Sequence, residues 1–555
     1  MILQNLIQYC QKNKAELPSF GFEYKEISFV ILLDKKGKFL NIQDKRTPTG
    51  EGEKMLVPQS VKRSGTGLKP NYLWDNLKYV FGVGDSKNPK QQDALEQKKE
   101  SFLQNLTELL PSLKDHEEIQ AVVCFLKSNF LQAIQKKTLW KELIKLNAYV
   151  SFSIENTNRL VCQESSISQA FSLFSQNTEE KNTFCLLTGN KKPITRLHPF
   201  IQGVYGAQGS GASLVSYNLP SAESFGKEQG YNAPMSQAAV FDYSTALNHL
   251  LESSQKVAFS QAMTVVFWSQ IKNSFEDSFA DFLKSPLQES SSLLAKCLEE
   301  PEDSTLFYIH TLSPNGARLS LRLSWTGSIA ELKKRFKKHL EDLDITNHLN
   351  TQKSFPVYSL MQAFSPCRDV KYVQPHLAGE FLSSILNNLP YPQMLLPNII
   401  EKLSDEEGIS QRRAALIKAC INRSPLDLKM QAQLDTYNKS PGYLLGRLFA
   451  VLDLTRKQLR KQKEAPSAHS FYKMASTSPK KTFSFLLKRH LFHTPCLLLT
   501  HSNYFNTLKD SILGSILEFP LILSLTAQGE FAIGYYQQKQ KIFIDTRKGQ
   551  FSHDI

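Results

Sequence analysis

Residues 184–236 hold the side chains and backbone best suited to binding chemistry in this sequence. The glycines Gly203, Gly206, Gly209 and Gly211 follow a basic, proline-containing lead-in and precede a stretch rich in Ser, Asn, Lys and Gln. Glycine leaves backbone N–H groups uncovered and accepts positive φ, so a ligand or another backbone can approach closely. The spacing matches neither GxxxxGK[ST] nor the GxGxxG of a dinucleotide fold. The segment therefore predicts contact with a polar partner that is not a mononucleotide.

Known catalytic constellations are missing from the sequence. It contains no HExxH motif, no GxSxG nucleophile elbow and no kinase motif set, and its eight cysteines form no CxxC pair. The one His-Asp dipeptide, His553–Asp554, lies at a chain end that frays. His198 is interpreted as a packed core histidine, because no Cys or carboxylate stands at ligand spacing. We expect a non-enzyme without metal or cofactor; a metal-dependent nuclease or hydrolase with an unrecognised site, or a protein-only scaffold, are the alternatives.

Several further segments carry a family resemblance. They are FCLLTG, ITRLHP, GVYGAQGSGASLVSYN and SFGKEQGYNAP within 184–236, then SGTGLKPNYLWDNLKYVFG (64–82), TLFYIHTLSPNGARLSLR (305–322), RRAALIKACINR (412–423), YLLGRLFAVL (443–452) and FAIGYYQQKQ (531–540). In order and spacing they resemble the large subunit of the type I-C CRISPR Cascade complex (Csd family). The resemblance covers essentially the whole chain.

This resemblance implies a DNA-binding subunit of a ribonucleoprotein complex. Such a subunit reads the short protospacer-adjacent motif (PAM) of target double-stranded DNA, stabilises the R-loop by holding the displaced single strand, and recruits the helicase-nuclease in antiviral defence. Base pairing with the guide RNA (crRNA) decodes the sequence, so the protein needs to read only a few base pairs. The implied partners include the backbone and RNA-processing Cascade subunits. A small subunit translated internally from Met430, or from the weaker candidate Met394, is also implied.

Two loops are the predicted PAM interface, because glycine-rich backbone and amide or lysine side chains can enter a minor groove. The DNA/PAM-binding candidates are Lys62, Arg63, Lys69 and Asn71 in one loop, and Gln208, Gly209, Ser210, Gly211, Ser213, Asn218, Lys227 and Asn232 around the other. The alternative for the glycines is a plain tight turn. For Asn218 and Asn232 it is a side chain that caps its own loop.

The predicted displaced-strand interface is a basic helical region. Residues 401–500 hold 18 Lys and Arg against 8 Asp and Glu, in a chain with a net charge of +14. A face with so few acids favours polyanion contact over a plain solvated surface. The candidates are Arg412, Arg413, Lys418, Arg447, Arg456 and Arg460. The alternatives are that Arg412 and Arg413 only cap or solvate their helix, and that Arg447 is buried.

The elements that must position these residues predict an α+β fold. At 555 residues the chain is longer than a single hydrophobic core usually supports, so at least two domains are expected. Hairpins are predicted at 27–44, with Gly37 in the turn, and at 305–325, with Asn315–Gly316 in the turn; other strands are predicted at 147–156 and 263–269. Helices are predicted at 91–110, 115–147 and 234–251. After residue 378, helices are predicted at 379–389, 392–403, 410–422, 442–463, 480–493, 502–518 and 524–538. We therefore predict an N-terminal mixed α/β domain (1–377) with long loops and a C-terminal helical bundle (378–555). Neither a signal peptide nor a membrane span is predicted, so a cytoplasmic location is expected.

Overall fold

The computed structural model divides the chain into two compact units. The first comprises Leu3–Pro199 and Val215–His249, and the second comprises Phe200–Leu214 and Leu250–Ile555. The described residues are 2–61, 68–84, 89–107, 113, 116–128, 131–176, 182–260, 263–284, 303–348, 355–367, 369–404, 409–425, 429–460, 469–493 and 499–547. The division into functional domains at residue 377 stays a prediction.

Among the described residues, the first unit contains three small sheets and seven α-helices, the first of which begins one residue before Leu3. The strands are β1 (Phe22–Ile27), β2 (Phe29–Leu33), β3 (Phe39–Asp44), β4 (Glu53–Pro58), β5 (Trp74–Asn76), β6 (Tyr149–Ile154), β7 (Asn182–Phe184) and β8 (Lys191–Pro193). The helices are α1 (Ile2–Lys12), α2 (Leu77–Val80), α3 (Pro89–Thr107), α4 (Glu117–Lys127), α5 (Leu131–Ile134), α6 (Leu139–Leu146) and α7 (Ser165–Gln176), followed by α8 (Gln237–Glu252) at the unit boundary. The region predicted as one helix at 115–147 is therefore three helices.

The main sheet of the first unit has the order β3-β2-β6-β5. Strand β2, FVILL, is a continuous apolar run, which suits a strand covered on both faces. It pairs antiparallel with β3 and parallel with β6. Gly37 closes the β2–β3 hairpin at φ +82°, as predicted, and a Cβ there would collide with the Ala121 carbonyl of α4.

The second unit is built on a six-stranded sheet of order β11-β12-β13-β14-β10-β9. Its strands are β9 (Phe200–Ile201), β10 (Ala212–Ser213), β11 (Lys256–Ser260), β12 (Met263–Ser269), β13 (Leu306–Asn315) and β14 (Arg318–Ser328). The predicted β13–β14 hairpin is confirmed, with Gly316 at φ +61°. The glycine-rich segment thus forms the edge of this sheet.

Helices follow the sheet in the second unit. They are α9 (Phe275–Lys284), α10 (Ile329–Leu343), α11 (Val357–Phe364), α12 (Pro375–Leu386), α13 (Leu395–Glu401), α14 (Gln411–Asn422), α15 (Pro441–Arg460), α16 (His469–Thr477), α17 (Pro479–His493), α18 (Leu499–Leu513) and α19 (Leu525–Arg547). No strand follows β14 in the described part of the chain. The predicted α+β class, with strands toward the N-terminus and helices toward the C-terminus, is confirmed.

One hydrophobic core joins the sheet of the second unit to its C-terminal helices. It runs from Val257 on β11 to Ile542 on α19 without separating the strands from the bundle. Helices α15 and α19 pack at a glycine seam, where a Cβ on Gly446 would collide with the Phe531 carbonyl and one on Gly534 with the Tyr443 carbonyl. Backbones can approach this closely only where side chains are absent. The C-terminal helices are therefore part of one larger packed body.

Candidate nucleic-acid interface

The first predicted loop is closed by Asn71. Its side chain is 3% exposed, and its Oδ1 accepts a hydrogen bond from Val61 N at 3.0 Å, while its own N–H donates to Asp75 Oδ2 at 2.9 Å. Asn71 therefore ties the two ends of the loop together instead of facing a partner. Lys69 is exposed, whereas Lys62 and Arg63 lie outside the described residues.

The glycine-rich segment forms a tight turn between β9 and β10. Gly211 N donates to Gln208 O at 2.8 Å, and Gly211 adopts φ +89° with its Cβ position only 2.7 Å from Ile201 O. A side chain at Gly211 would thus push the two strands apart. Gln208, Gly209 and Ser210 are exposed, and nothing lies within 4 Å of the Cβ position of Gly209. The turn presents a short, polar, uncovered stretch of backbone.

Ser213 occupies a different environment from the turn. It is 7% exposed, pairs with Arg318 across the sheet, and donates its N–H to Ala317 O at 2.9 Å. Strand pairing accounts for its position, so the structure does not bring Ser213 to the surface with Gln208 and Ser210.

Asn232 holds a loop of the first unit closed. Its Oδ1 accepts from Ser224 N at 2.9 Å, and its Nδ2 donates to Lys227 O at 2.8 Å and Gln229 O at 3.0 Å. This is the loop-capping alternative. Lys227 and Asn218 are exposed. The loop that Asn232 closes also carries Phe225, whose side chain is 96% exposed and whose φ is +52°. The sequence analysis missed Phe225; a bulky apolar residue between Ser and Gly was the available signal.

A basic and aromatic hairpin precedes the glycine turn in the sequence. Strands β7 and β8 place Lys191 and Lys192 in solvent, together with Phe184 at 66% and Leu186 at 64% exposure. Interleaved cationic and aromatic side chains are typical of surfaces that bind single nucleic-acid strands. The pairing belongs to the first unit, whereas Gln208–Ser210 belong to the second.

Cys185 lies in the turn of the same hairpin. Burial raises its thiol pKa, but hydrogen bonds from Thr188 and Ser236 outweigh that effect and lower the pKa to about 7. The Ser236 N–H points at Sγ from 3.2 Å. The turn therefore stabilises a thiolate while the side chain remains 2% exposed.

His198 is a packed core histidine, as predicted. Its side chain is 6% exposed, and Nδ1 lies 2.6 Å from the hydroxyl of Tyr243. Among the described residues, no group of three His, Cys, Asp or Glu side chains is arranged to hold a metal ion.

The predicted displaced-strand cations are largely interior. Arg413 is 7% exposed and donates from Nη1 to Lys402 O at 3.0 Å; Lys418 is 3% exposed and donates to Asp342 O at 3.0 Å. Arg447 is 6% exposed and donates from Nε to Gln538 Oε1 at 3.0 Å. Their burial leaves these three side chains little surface for a displaced strand, and for Arg447 the buried alternative is observed. They satisfy buried carbonyl and amide oxygens that no apolar side chain could satisfy.

The remaining three candidates give a similar result. Half-buried Arg412 donates to Ser359 O and Gln362 Oε1, each at 3.1 Å, and burial lowers the pKa of its guanidinium. Arg456 is 9% exposed and stacks over Phe471 with its Cζ 5.3 Å from the ring centroid. The side chain of Arg460 lies outside the described residues. The five described candidates thus make contacts within the protein, although other lysines of the region, such as Lys473 and Lys480, are exposed.

These observations define an α+β protein with an exposed glycine turn in its second unit and a basic, aromatic hairpin in its first unit. The family described as CRISPR-associated protein (Cas_Csd1) matches residues 3–543. The match spans nearly the whole chain, and the chain belongs to this family. The comparison with curated proteins finds no significant match. No described helix is both long enough and apolar enough to cross a membrane.

Proposed function

We propose that this chain is the non-catalytic large subunit of a type I-C CRISPR interference complex in the cytoplasm. It reads the PAM of target DNA, stabilises the R-loop and provides the surface that recruits the helicase-nuclease. The observation that carries the proposal is the family match over residues 3–543. Guide RNA and the backbone and RNA-processing subunits are the partners.

The exposed turn supports a groove-reading role. Gln208 and Ser210 flank Gly209 in solvent, so a carboxamide and a hydroxyl project beside uncovered backbone. These groups can donate to the acceptors that line a minor groove. Lys69 and Lys227, both exposed on the first unit, would supply sequence-independent phosphate contacts.

An internal start at Met430 would release the helices α15–α19. In the full chain Met430 is 5% exposed, and Asn422 of α14 bonds to both its N–H, at 2.7 Å, and its carbonyl, at 3.0 Å. Ile417 and Ile421 of α14 also lie against Gly529 of α19. A fragment beginning at Met430 would expose this face, so another subunit must cover it. Mass spectrometry of the purified complex tests this, because a full-length species alone would exclude the internal start.

The main test is co-expression of the chain with its neighbouring reading frames and purification through a tag on this chain. A guide RNA is expected to co-purify. The complex is then titrated with fluorescent duplexes that carry the preferred or a scrambled PAM. Gln208→Ala is expected to reduce the affinity ratio between these duplexes by about fivefold or more, the loss of one base contact. Lys227→Ala is expected to weaken both alike and lower the salt slope by about 1.

Lys127→Ala is the matched control, since Lys127 is exposed at the end of α4 and lies outside both loops. It should change neither the affinity ratio nor the slope. A complex without guide RNA would overturn the assignment. Equal affinity for preferred and scrambled PAM would overturn PAM reading. Salt-independent DNA binding would favour the scaffold alternative, and metal-dependent cleavage by the chain alone would favour the nuclease.

A further inference from the structure

A second basic site lies in the first unit, apart from both predicted loops. A cavity of about 350 Å³ opens between α3, the segment after α2 and the end of α6. Lys78, Lys98 and Lys145 line it, and we refer to it as the α3 pocket. No carboxylate lines the α3 pocket, and no described carboxylate forms an ion pair with any of the three lysines. The adjoining residues 85–88, outside the described part of the chain, contain one Asp and one Lys.

Helix α3 separates its charges around its axis. Gln91, Ala94, Leu95 and Lys98, at spacings of three and four residues, form the stripe that lines the α3 pocket. The acids Asp93, Glu96 and Glu100 lie on the opposite side of the helix, about 140–200° around the axis from Gln91 at 100° per residue. An ordinary solvated helix mixes both signs, so this segregation leaves the pocket positive.

Local structure places the three lysines around the α3 pocket. Asn76 Oδ1 accepts from Lys78 N at 3.1 Å and caps α2 at Lys78. Lys145 lies in the last turn of α6, which Asn147 ends at φ +44°. Lys98 lies with its Nζ 5.6 Å from the centroid of the Tyr79 ring. Three like charges held around one concavity repel each other, and a bound anion would relieve that repulsion.

The other residues that line the α3 pocket can contact parts of a ligand besides its anionic group. Val83, Leu95 and Ile144 form an apolar part, and Gln91 and Asn147 add two carboxamides. Apolar surface with a few amide and cationic groups is the usual composition of a small-ligand pocket, and the cavity has the size of the smaller ones. An unstacked base could lie on the apolar part, as in single-strand recognition.

We propose that the α3 pocket binds one nucleotide of a single nucleic-acid strand, with its phosphate on Lys78, Lys98 and Lys145 and its base against Leu95. The inference rests on the proposed function only in the class of partner, a nucleic acid. It is independent of PAM reading. Asn105, near the end of α3, donates to Pro70 O at 3.3 Å, so the same helix leads from the pocket to the loop that bears Lys69.

The test uses the full chain and labelled ten-nucleotide single strands of RNA and of DNA, followed by fluorescence anisotropy. The triple variant K78A/K98A/K145A is expected to bind at least about tenfold more weakly, with a log–log salt slope lower by about 1. K12A/K36A/K127A is the charge-matched control, since these lysines are exposed elsewhere on the first unit. A94F narrows the pocket without changing its charge and is also expected to weaken binding.

Each outcome decides the proposal. Loss with K78A/K98A/K145A and A94F but not with the control supports it, and the RNA and DNA arms identify the strand. Equal loss in both triple variants would show diffuse electrostatic binding and overturn it. Displacement of the strand by equimolar inorganic phosphate would show a free-phosphate site and also overturn it. The assembled complex that carries K78A/K98A/K145A should still discriminate between preferred and scrambled PAM duplexes. That result would show that binding at the α3 pocket and PAM reading succeed or fail independently.

Discussion

Arg423 donates from Nε to Oδ2 of Asp342 across 2.7 Å, and each side chain is 5% exposed. The guanidinium also donates to Ser384 O at 3.0 Å and lies over Tyr391 with Cζ 4.6 Å from the ring centroid. One ion pair thus connects α10, the end of α12 and the residue that follows α14. Helices distant in sequence are fixed to one another by a charge pair in the interior of the second unit.

The Asp342–Arg423 pair predicts a large loss of stability when it is broken. Asp342→Asn leaves a buried guanidinium without its anion, and the free energy of unfolding should fall by about 3–5 kcal/mol. Urea unfolding followed by circular dichroism measures this. The double variant D342L/R423M, which removes both charges, should recover most of the loss; a double variant as unstable as the single one would contradict the assignment.

The glycine seam predicts that a single methyl group destabilises the second unit. In Gly446→Ala the new Cβ meets the Phe531 carbonyl, so the backbones of α15 and α19 must separate. The free energy of unfolding should fall by about 2–3 kcal/mol despite the better helix propensity of Ala. Gly209→Ala is the control, because its Cβ enters open space and should change stability by less than about 0.5 kcal/mol. Equal stability of the two variants would show that the seam can relax.

His310 predicts sensitivity to acid. The side chain on β13 is fully buried beside Trp268, and burial lowers the pKa of its imidazole from 6.5 to about 3. Below about pH 6.5, His310 therefore binds a proton in the unfolded chain but stays neutral in the folded protein. This contribution to stability is complete above pH 6.5 and decreases as the pH falls toward 3, by about 2 kcal/mol between pH 7 and pH 5.

The variant His310→Leu isolates this effect. Both ring nitrogens lack hydrogen-bond partners among the described residues, so the variant should be stable at pH 7. Denaturant titrations at pH 7 and pH 5 should show about 2 kcal/mol less acid loss in the variant than in the unaltered chain. An identical pH dependence of the two proteins would mean that His310 does not resist protonation.

We expect Asn232 to stabilise the loop that carries Phe225 locally, without a large effect on the stability of the whole protein. Asn232→Ala removes the acceptor for Ser224 N and the donor to Lys227 O, so hydrogen exchange of the Ser224 amide should rise about tenfold, the loss of one or two hydrogen bonds. Lys227→Ala leaves these bonds in place and serves as the control. Unchanged exchange in Asn232→Ala would show that the loop is held by other contacts.

Local patterns predicted much of the fold. The expected helices at 410–422 and 442–463 are observed as Gln411–Asn422 and Pro441–Arg460, and the Asn315–Gly316 turn lies where its dipeptide predicted. Periodicity and turn chemistry depend only on neighbouring residues, which explains this success. The parallel pairing of β2 with β6 was missed, because it joins segments far apart in sequence.

The site was predicted less well, for a physical reason. Lys418 and Arg413 were assigned to the displaced-strand interface, since charged side chains usually lie on the surface of a protein. The carbonyl oxygens that accept hydrogen bonds from Lys418 and Arg413 belong to Asp342 and Lys402, respectively. These two residues lie in other elements, and only the tertiary structure brings donors and acceptors together. The three lysines of the α3 pocket were missed for the same reason. The exposed turn at Gln208–Ser210 could be predicted because its glycines carry the signal themselves.

The glycine seam also has a consequence for synthesis. Helix α15 ends at Arg460 and its partner begins at Leu525, so residues 461–524 must be made before the two can meet. At about 5–20 residues per second this takes roughly 3–13 seconds. Throughout that interval the flank of α15 that carries Gly446 lacks the helix that covers it in the folded protein.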